Sequence, residues 1–419
     1  MSLVCSALNW SMWCRTFISY PFHHSTYWIV QFRTALAATL GCSASMLWVF
    51  GAGRVGLYRF ASSLKFQPDE HVILPGYTCV VVPNAVHFAG AAIRYVDISP
   101  DTLNYTAEGL IGACNDKTRL LVLPANFGME HGHEVLLRTL NDLKQKFPRL
   151  VVIADMAHAL SDSTSGSIAQ SVDAAFYSFE FSKCLTTGMG GALRINNAQL
   201  AKTFEANESD KPLERPSALL VIRQMLTVKT HLLAASGWSR VGRWSQGILR
   251  RLKLLYATPA EELSGTQPNA YPMQMSALGA CLGLQQLKAY KETTRLRKQQ
   301  SAEYQTLLQN HSAIEIPTIH ADDSLLRFPV LMSPVLFEKG WTRSSLIEHI
   351  KKRTGLSVGV WFNDVIHPAG SFRHGYQIGN CPIGEEVAER MINLPLGRHA
   401  DVSPYVLVKL KRALDEVIA

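Results

Sequence analysis

Between residues 45 and 200 the sequence alternates short apolar runs with stretches of helical periodicity, and this pattern restricts the fold most strongly. The runs are rich in β-branched and aromatic residues: "MLWVF", "HVILP", "AIRYVDI", "RLLVLPANF", "RLVVIADMA", "AAFYSF" and "GALRI". Short runs of this kind, separated by helices, predict a mostly parallel sheet with helices on both faces. A chain of 419 residues can bury such a core and still form a second domain.

Glycines and polar residues fall at or just past the ends of several predicted strands. They are Gly53, Thr78, Asn126, Asp155 and Ser178. Ligands of α/β sheets bind at the carboxyl ends of the strands. Because these ends meet at one edge of the sheet, we expect the five residues to line one crevice.

The glycine turn at 51–56, "GAGRVG", matches the GxGxxG pattern of dinucleotide-binding folds. Such a fold also needs an acidic residue at the end of the next strand. Here Asp69 and Glu70 precede that strand, at its wrong end. What remains is a tight turn at a helix N-terminus, where free N–H groups and the helix dipole favour an anion. The alternative is a turn that only allows strand and helix to pack closely.

Cysteine usage and net charge narrow the class of protein. The cysteines have no CxxC pairs or regular spacing, which argues against a zinc site and a disulfide framework and favours a reducing cytoplasm. They are Cys5, Cys14, Cys42, Cys79, Cys114, Cys184, Cys281 and Cys381. A net charge of +8 suits anionic substrates or a membrane face, but no basic block marks nucleic-acid binding. Residues 1–24 lack the pattern of a signal peptide.

The pattern divides the chain into three parts. Residues 1–44 form an N-terminal helical segment, with an amphipathic helix over Tyr27–Leu40. Residues 45–288 form the large domain, whose last part, "PMQMSALGACLGLQQLKAY", predicts a long helix. Residues 289–419 alternate helices with strands such as "LLRFPVLM" and "LSVGVWF", as a smaller α+β domain does.

Residues 201–268 interrupt the large domain with a helical, apolar and basic insert. Its basic residues near two tryptophans include Arg240, Arg243, Arg250, Arg251 and Lys253. A helix with tryptophan and leucine on one face and arginine on the other suits peripheral contact with an anionic membrane, here through 217–256. The alternative is a set of helices packed on the sheet, with solvated arginines.

Asp155 follows the fully apolar strand in "VVIADMAHAL". A carboxylate at a buried strand end is unfavourable unless a cation or strong donor pairs with it. The pyridinium nitrogen of pyridoxal phosphate (PLP) is such a partner. The alternative is a cap for a following helix. His158, one helical turn further on, would face the same way.

Lys183 lies in "AAFYSFEFSKCLTTGMGGALRI", after an apolar strand and before a glycine-rich turn. A lysine in an apolar pocket has a depressed pKa and offers a free amine for Schiff-base chemistry. The alternative is an ordinary surface lysine. The order of glycine turn, aspartate and lysine makes the catalytic interpretation more specific.

These motifs resemble the DegT/DnrJ/EryC1/StrS aminotransferases, PLP enzymes of the α/β aspartate-aminotransferase fold (fold type I). The resemblance rests on "GAGRVGLY", "DEHVILPGYTCVVVPNAVHFAGAAIRYVDISPDTLNY", "ADMAHAL", "DAAFYSFEFSKCLTTGMGGAL", "MSALGACLGLQQL" and "AERMINLPLGRHADVSPYVLVKLKRAL". It extends from about Gly51 to the C-terminus, broken by the insert. It implies a mostly parallel sheet in the large domain and a smaller α+β domain.

The resemblance also implies roles for single residues. Lys183 would bind PLP covalently and shuttle a proton during transamination, and Asp155 would hold the pyridinium nitrogen. His158 stands where the family usually has a glutamine that bonds the phenolic oxygen of the ring. Ser178 and the backbone N–H groups at the glycine turn would contact the phosphate. The turn residues are Gly53, Arg54 and Val55.

Besides His158, three further positions depart from the family pattern. Cys79 follows Thr78 where the family commonly has an aromatic residue against the ring. Pro272 and Gln274 replace the asparagine and arginine of the family's "NYRMSE" stretch, through which a partner subunit usually helps to hold the cofactor.

The expected function is amino transfer to a keto-sugar in polysaccharide or secondary-metabolite biosynthesis. The keto-sugar is expected to be linked to a nucleotide. Glutamate is the expected amino donor, and the family's active sites lie at a homodimer interface. One alternative is a PLP-binding or membrane-associated protein without turnover. Another is a PLP-dependent sugar dehydratase, although those relatives replace the lysine with histidine. Dinucleotide binding is the last alternative.

Overall fold

A computed structural model gives the structure of the chain over residues 6–160, 166–209, 212–236, 238–269, 271 and 273–419. Its strands are β1 (Leu47–Phe50), β2 (His71–Pro75), β3 (Thr78–Cys79), β4 (Ala92–Val96), β5 (Thr118–Pro124), β6 (Val151–Met156), β7 (Ala174–Ser178), β8 (Gly191–Ile195), β9 (Ile314–Glu315), β10 (Phe328–Met332), β11 (Ile366–His367) and β12 (Met391–Leu394).

The helices of the first half are α1 (Trp10–Ser19), α2 (Ser25–Thr39), α3 (Gly53–Ser63), α4 (Val81–Phe88), α5 (Ala107–Ala113), α6 (Glu134–Lys146), α7 (Ile168–Ser171) and α8 (Ala198–Ser209). Those of the second half are α9 (Ala218–Ala235), α10 (Ser239–Arg251), α11 (Ala260–Leu263), α12 (Ala277–Leu287), α13 (Tyr290–Leu308), α14 (Pro334–Glu338), α15 (Arg343–Thr354), α16 (Pro382–Arg390) and α17 (Pro404–Ile418).

The seven apolar runs of the sequence form one sheet, in the order β1-β8-β7-β6-β5-β2-β4. Five of its strands pair in parallel, and β8 runs antiparallel to both of its neighbours, β1 and β7. The predicted mostly parallel sheet is therefore confirmed. Except at β8, the strands end at the same edge of the sheet.

Burial of both faces explains why the strands read as continuous apolar runs. In β6, Val152 and Ala154 belong to the core layer on one face, whereas Val151 and Ile153 belong to the layer on the other. Because side chains alternate along a strand, a strand covered on both sides must be apolar at every position. The sheet is the centre of the part of the chain that runs from β1 to β8.

The C-terminal part builds its own core around a small sheet of order β12-β10-β9. The predicted strand "LLRFPVLM" is confirmed as β10. The predicted strand "LSVGVWF" is wrong, because Gly359 alone in that stretch forms a bridge, with Asn393. Beyond Gly359 the chain bends toward the large sheet. There Trp361 and Phe362 line a cavity and do not pair with a neighbouring strand.

The helix of "PMQMSALGACLGLQQLKAY" is shorter than predicted, because α12 begins only at Ala277, where the hydroxyl of Ser276 accepts the N–H of Gly279. Its glycines contact their own subunit. A Cβ at Gly283 would lie 2.6 Å from a ring carbon of Phe32, so this face of α12 packs inside the chain.

The insert is helical, as predicted, and α9 packs through Met225, Val228 and Leu232 against Leu8 and Trp13 near the N-terminus. Within the part of the chain that the structure describes, α9 is the one helix whose length and composition would let it cross a membrane. Buried helices of ordinary proteins meet the same criterion, and 44% of this helix is buried.

Candidate active site

A cavity of about 470 Å³ lies at the edge where the strands of the large sheet end. One side, which we call the sheet-edge wall, is formed by the ends of β6 and β7, the start of α3 and the segment between β7 and β8. The other side, the covering wall, is formed by residues 256–258 of the insert and by residues 361–362 and 367–368. The predicted residues that line the cavity are Gly53, Arg54, Cys79, Asp155, His158, Ser178 and Lys183.

Two residues predicted at this crevice lie outside its lining. Val55 is buried behind the turn in the apolar core, and its N–H donates to the carbonyl of Ala52 at 3.2 Å. Thr78 is buried and donates its N–H to the carbonyl of Val365 at 2.8 Å. Asn126, the remaining strand-end residue, does line the cavity.

One end of the cavity is suited to an anion. Helix α3 begins at Gly53, and no side chain caps its first N–H groups. A Cβ at Gly53 would lie 2.7 Å from the carbonyl oxygen of Tyr177, so only glycine lets the helix start this close to the end of β7. Ser178, the last residue of β7, adds a hydroxyl beside the same turn. Free N–H groups, a helix dipole and a hydroxyl together favour a phosphate.

Asp155 lies near the end of β6 and faces the cavity. Its Oδ1 accepts the N–H of Ala157 at 2.9 Å. Among the described residues no helix begins after it before Ile168, so it does not cap a following helix. Burial raises the pKa of Asp155 to about 6, against the N–H of Ala157 and the charge of Lys183, which lower it. A cationic partner in the cavity would stabilise its ionised form.

Lys183 lies in the loop between β7 and β8 and is 9% exposed. Its Nζ lies 4.8 Å from the ring centroid of Trp361. In the described parts of the chain no carboxylate lies within ion-pair distance of this amine. A buried amine held against an aromatic ring, with no carboxylate to bind it, is placed for nucleophilic chemistry.

The orientation of His158 fixes its tautomer. The N–H of Phe127 donates to His158 Nδ1 at 3.1 Å. Burial, with the charges of Lys183 and Arg327, holds the pKa of His158 well below its ordinary value. The ring is therefore neutral, and with Nδ1 accepting, its proton is on Nε2. His158 thus offers the cavity a hydrogen-bond donor, as the amide of a glutamine does.

Cys79 lines the cavity beside His367 of the covering wall. The strand β3 that contains it pairs with β11, and Cys79 lies opposite His367 in the register. Burial raises the pKa of the Cys79 thiol, so this side chain is neutral. Burial, followed by the charge of Lys183, lowers the pKa of His367 to about 4, so its ring is also neutral.

The insert is fixed to the start of α3 through Arg54. Arg54 Nε lies 2.5 Å from Glu262 Oε1, and its Nη2 donates to the hydroxyl of Tyr256 at 3.1 Å. Glu262 is fully buried, and a buried carboxylate requires a partner of this kind. Tyr256 and Thr258 are thereby held over the cavity.

Pro272 and Gln274 are the two positions at which a partner subunit usually helps to hold the cofactor in the family. Pro272 lies outside the described residues. Gln274 donates from Nε2 to the carbonyl of Leu213 at 3.1 Å, and its N–H donates to the carbonyl of Glu214 at 2.8 Å. The side chain of Gln274 is therefore engaged within its own chain.

Sequence reasoning missed most of the covering wall. Trp361, His367 and Tyr256 follow no motif, because each reaches the cavity through long-range contacts. Glu180 was also missed, although it lies three residues before Lys183. Its Oε2 accepts the N–H of Ser182 at 2.9 Å. A glutamate three residues before the lysine, in an otherwise apolar segment, was a signal in the sequence that could have identified it.

Comparisons with known proteins agree with this geometry. Residues 28–403 match the DegT/DnrJ/EryC1/StrS aminotransferase family. The chain is 26% identical over 371 residues to the spore coat polysaccharide biosynthesis protein SpsC of Bacillus subtilis (strain 168), covering 88% of this chain and 84% of SpsC.

Solved structures share the fold. A structure of DesI in the presence of its TDP-sugar product superposes with a TM-score of 0.68 at 18% identity, covering 99% of this chain and 92% of DesI. Helicobacter pylori PseC, an aminotransferase involved in pseudoaminic acid biosynthesis, gives 0.66 at 17% identity, covering 92% and 90%. The predicted aspartate-aminotransferase-like fold is confirmed. With the family matched over most of its length, this chain belongs to the PLP-dependent DegT/DnrJ/EryC1/StrS aminotransferases.

Proposed function

We propose that this protein transfers an amino group from glutamate to a nucleotide-linked keto-sugar in polysaccharide or secondary-metabolite biosynthesis. Family membership supports sugar amination. The nucleotide is suggested by the TDP-sugar product of DesI, and the pathway by the name of SpsC. The cavity at the sheet edge has room for the reacting end of such a substrate.

The residues present fit the polar groups of PLP. The uncapped start of α3 with Ser178 suits the phosphate, and Gly53 leaves the space that a Cβ would fill. Asp155 suits the pyridinium nitrogen, and the Nε2–H of His158 suits the phenolic oxygen. When bound, PLP supplies an electron sink that stabilises negative charge at the reacting carbon of the substrate.

This chain's own residues would handle the proton and exclude water. Among the described residues of the lining, Lys183 carries the one buried amine, so it would hold the cofactor, take a proton from the reacting carbon of the amino donor in one half-reaction, and return a proton to the reacting carbon of the acceptor in the other. Trp361 lies over this amine and shields it from bulk water. The charge of ionised Asp155 would keep the ring nitrogen protonated.

One observation carries the proposal: Asp155 and Lys183 line the same cavity as the uncapped start of α3. To test it, purified protein is loaded with PLP and incubated with glutamate and a panel of nucleotide-linked keto-sugars, with products identified by mass spectrometry. Borohydride should fix PLP on the peptide that contains Lys183. Failure of every keto-sugar to accept nitrogen, with PLP fixed at Lys183, would favour a PLP-binding protein without turnover. Loss of water from the sugar would indicate a dehydratase.

We also propose a homodimer in the cytoplasm. The family relationship supports it, since an obligate interface of on the order of 2,000 Å² or more would persist without the side chains replaced at Pro272 and Gln274. Because Gln274 is engaged with Leu213, a partner would contribute less to holding PLP than in other members. Sedimentation would give a dimer at micromolar concentration, and an active PLP-bound monomer would contradict this.

A further inference from the structure

Helices α9 and α10 form a hairpin on the outside of the large domain. Gly242 of α10 packs directly on the backbone of Ala234 in α9, with no space for a Cβ. Gly242 and Gln246 are buried, and they mark the face of α10 that contacts the protein. The opposite side of α10 faces solvent.

An apolar stripe runs along the solvent-facing side of α10. Its residues, Val241, Trp244, Ile248 and Leu252, follow at intervals of three, four and four, so they share one helix face. Trp244 is 69% exposed and Leu252 is 61% exposed. Single exposed apolar residues are ordinary, but a continuous stripe with a tryptophan marks an interaction site. We call this set the docking stripe.

Basic side chains flank the docking stripe. They are Arg240, Arg243, Arg250, Arg251 and Lys253, and none forms an ion pair with another residue that the structure describes. Residues 215–260 contain eight of the 41 basic residues and no acidic residue, so the rest of the chain holds 33 of each sign. The entire net charge of +8 thus corresponds to the segment around the hairpin.

We propose that the hairpin docks on an anionic lipid bilayer, with the docking stripe in the headgroup region and the arginines against lipid phosphates. An apolar face beside a basic face is the pattern of helices that lie in a membrane interface. A second copy of the chain fits less well, because two such surfaces would bring like charges together. Nucleic acid would not require the apolar stripe. The proposal does not depend on the chemistry of the active site.

Docking would place the active site beside the bilayer. After α10 the chain returns toward α9, where the N–H of Tyr256 donates to Thr227 Oγ1 at 2.8 Å. Tyr256 and Thr258 then line the cavity. The segment that follows the docking stripe is therefore part of the covering wall.

The test uses the full chain loaded with PLP and sedimented with vesicles. Vesicles of equimolar phosphatidylglycerol and phosphatidylcholine should bind the protein, whereas vesicles of phosphatidylcholine alone should not. Each basic residue near an anionic surface strengthens binding roughly fivefold. Neutralising Arg243 and Arg250 to Gln should therefore weaken binding by more than tenfold, and high salt should do the same.

The Trp244→Ser/Leu252→Ser variant should lose vesicle binding by at least tenfold while it keeps bound PLP and the oligomeric state. Tyr405→Ser is the matched control, because Tyr405 is 68% exposed beside Lys409 on a different helix. Equal loss in this control would overturn the proposal. Absence of wild-type binding, or a smaller oligomer in the Trp244→Ser/Leu252→Ser variant, would also overturn it and assign the stripe to contacts between copies.

Discussion

The two walls of the active site differ in how the chain builds them. The sheet-edge wall consists of short segments at strand ends, and each segment carries its chemistry within a few residues: Gly53 at the start of α3, Asp155 in β6, Ser178 at the end of β7. The covering wall collects Tyr256 from the insert and Trp361 and His367 from the C-terminal part.

The two walls therefore have different roles: one carries the reactive groups, and the other encloses the cavity. The sheet-edge wall holds the groups that would contact PLP and the reacting atoms. The covering wall holds neutral side chains. Burial lowers the pKa of His367 to about 4, and Trp361, which packs over Lys183, carries no charge. We therefore expect substitutions in the sheet-edge wall to change the rate strongly and those in the covering wall to change binding modestly.

The largest effect is expected at Lys183. Lys183→Ala should keep the fold but lower amino transfer by roughly a thousandfold or more, because the amine that moves the proton is removed. Steady-state rates and the visible absorbance of bound PLP measure this. Lys202→Ala, an exposed lysine on α8, is the control. Full turnover in Lys183→Ala would disprove the catalytic role.

The next effect is expected at Asp155. Asp155→Asn should lower kcat by roughly a hundredfold or more and weaken PLP binding, because an amide cannot stabilise the pyridinium charge. A rate within a few-fold of the unmodified enzyme would leave Asp155 without this role. Asp116→Asn is the control at an exposed position.

The same substitution should stabilise the protein without cofactor. The pKa of Asp155 rises from 3.8 to about 6 on folding, so the stability due to its protonated form is present below pH 4 and is lost as the pH rises to 6. At neutral pH the half-buried carboxylate then costs on the order of 1–3 kcal/mol. Asp155→Asn retains the acceptor for Ala157 and should raise the melting temperature at pH 7. A lower melting temperature would contradict this.

A pair of substitutions at His158 tests its assigned tautomer. His158→Gln keeps a donor near the position of Nε2 and should bind PLP within a few-fold of the unmodified enzyme. His158→Asn keeps only the acceptor for the N–H of Phe127 and should bind PLP roughly tenfold more weakly, since one hydrogen bond to a charged group is worth about 1.5 kcal/mol or more. The reverse order of affinities would exclude Nε2 as the donor.

The smallest effect is expected in the covering wall. Tyr256→Phe removes the hydroxyl that accepts from Arg54, although Arg54 keeps its contact with Glu262. A hydrogen bond to a charged group is worth about 1.5 kcal/mol or more. Because the retained contact with Glu262 offsets part of this loss, KM should rise by about tenfold or less at unchanged kcat. A large fall in kcat would mean that the covering wall takes part in the chemistry.

The sequence alone determined the large sheet and most of its active edge. Burial on both faces makes strands such as β6 apolar throughout, and a polar, charged or glycine residue at or after the end of such a strand is conspicuous. For this reason the residue pattern by itself singles out Gly53, Asp155, Ser178 and Lys183. The strand predicted over residues 356–362 is wrong because an apolar run does not show whether it will find a strand to pair with.

Only the tertiary structure decided the rest of the site. The placement of His367 depends on the pairing of β11 with β3, and that of Tyr256 on Arg54 and Thr227. The proton position of His158 depends on the N–H of Phe127. These contacts join segments far apart in the chain, and their energy comes from complementary surfaces that no local pattern encodes. Local periodicity therefore determines which residues lie at the reactive edge of the sheet, and long-range packing determines which residues cover the cavity.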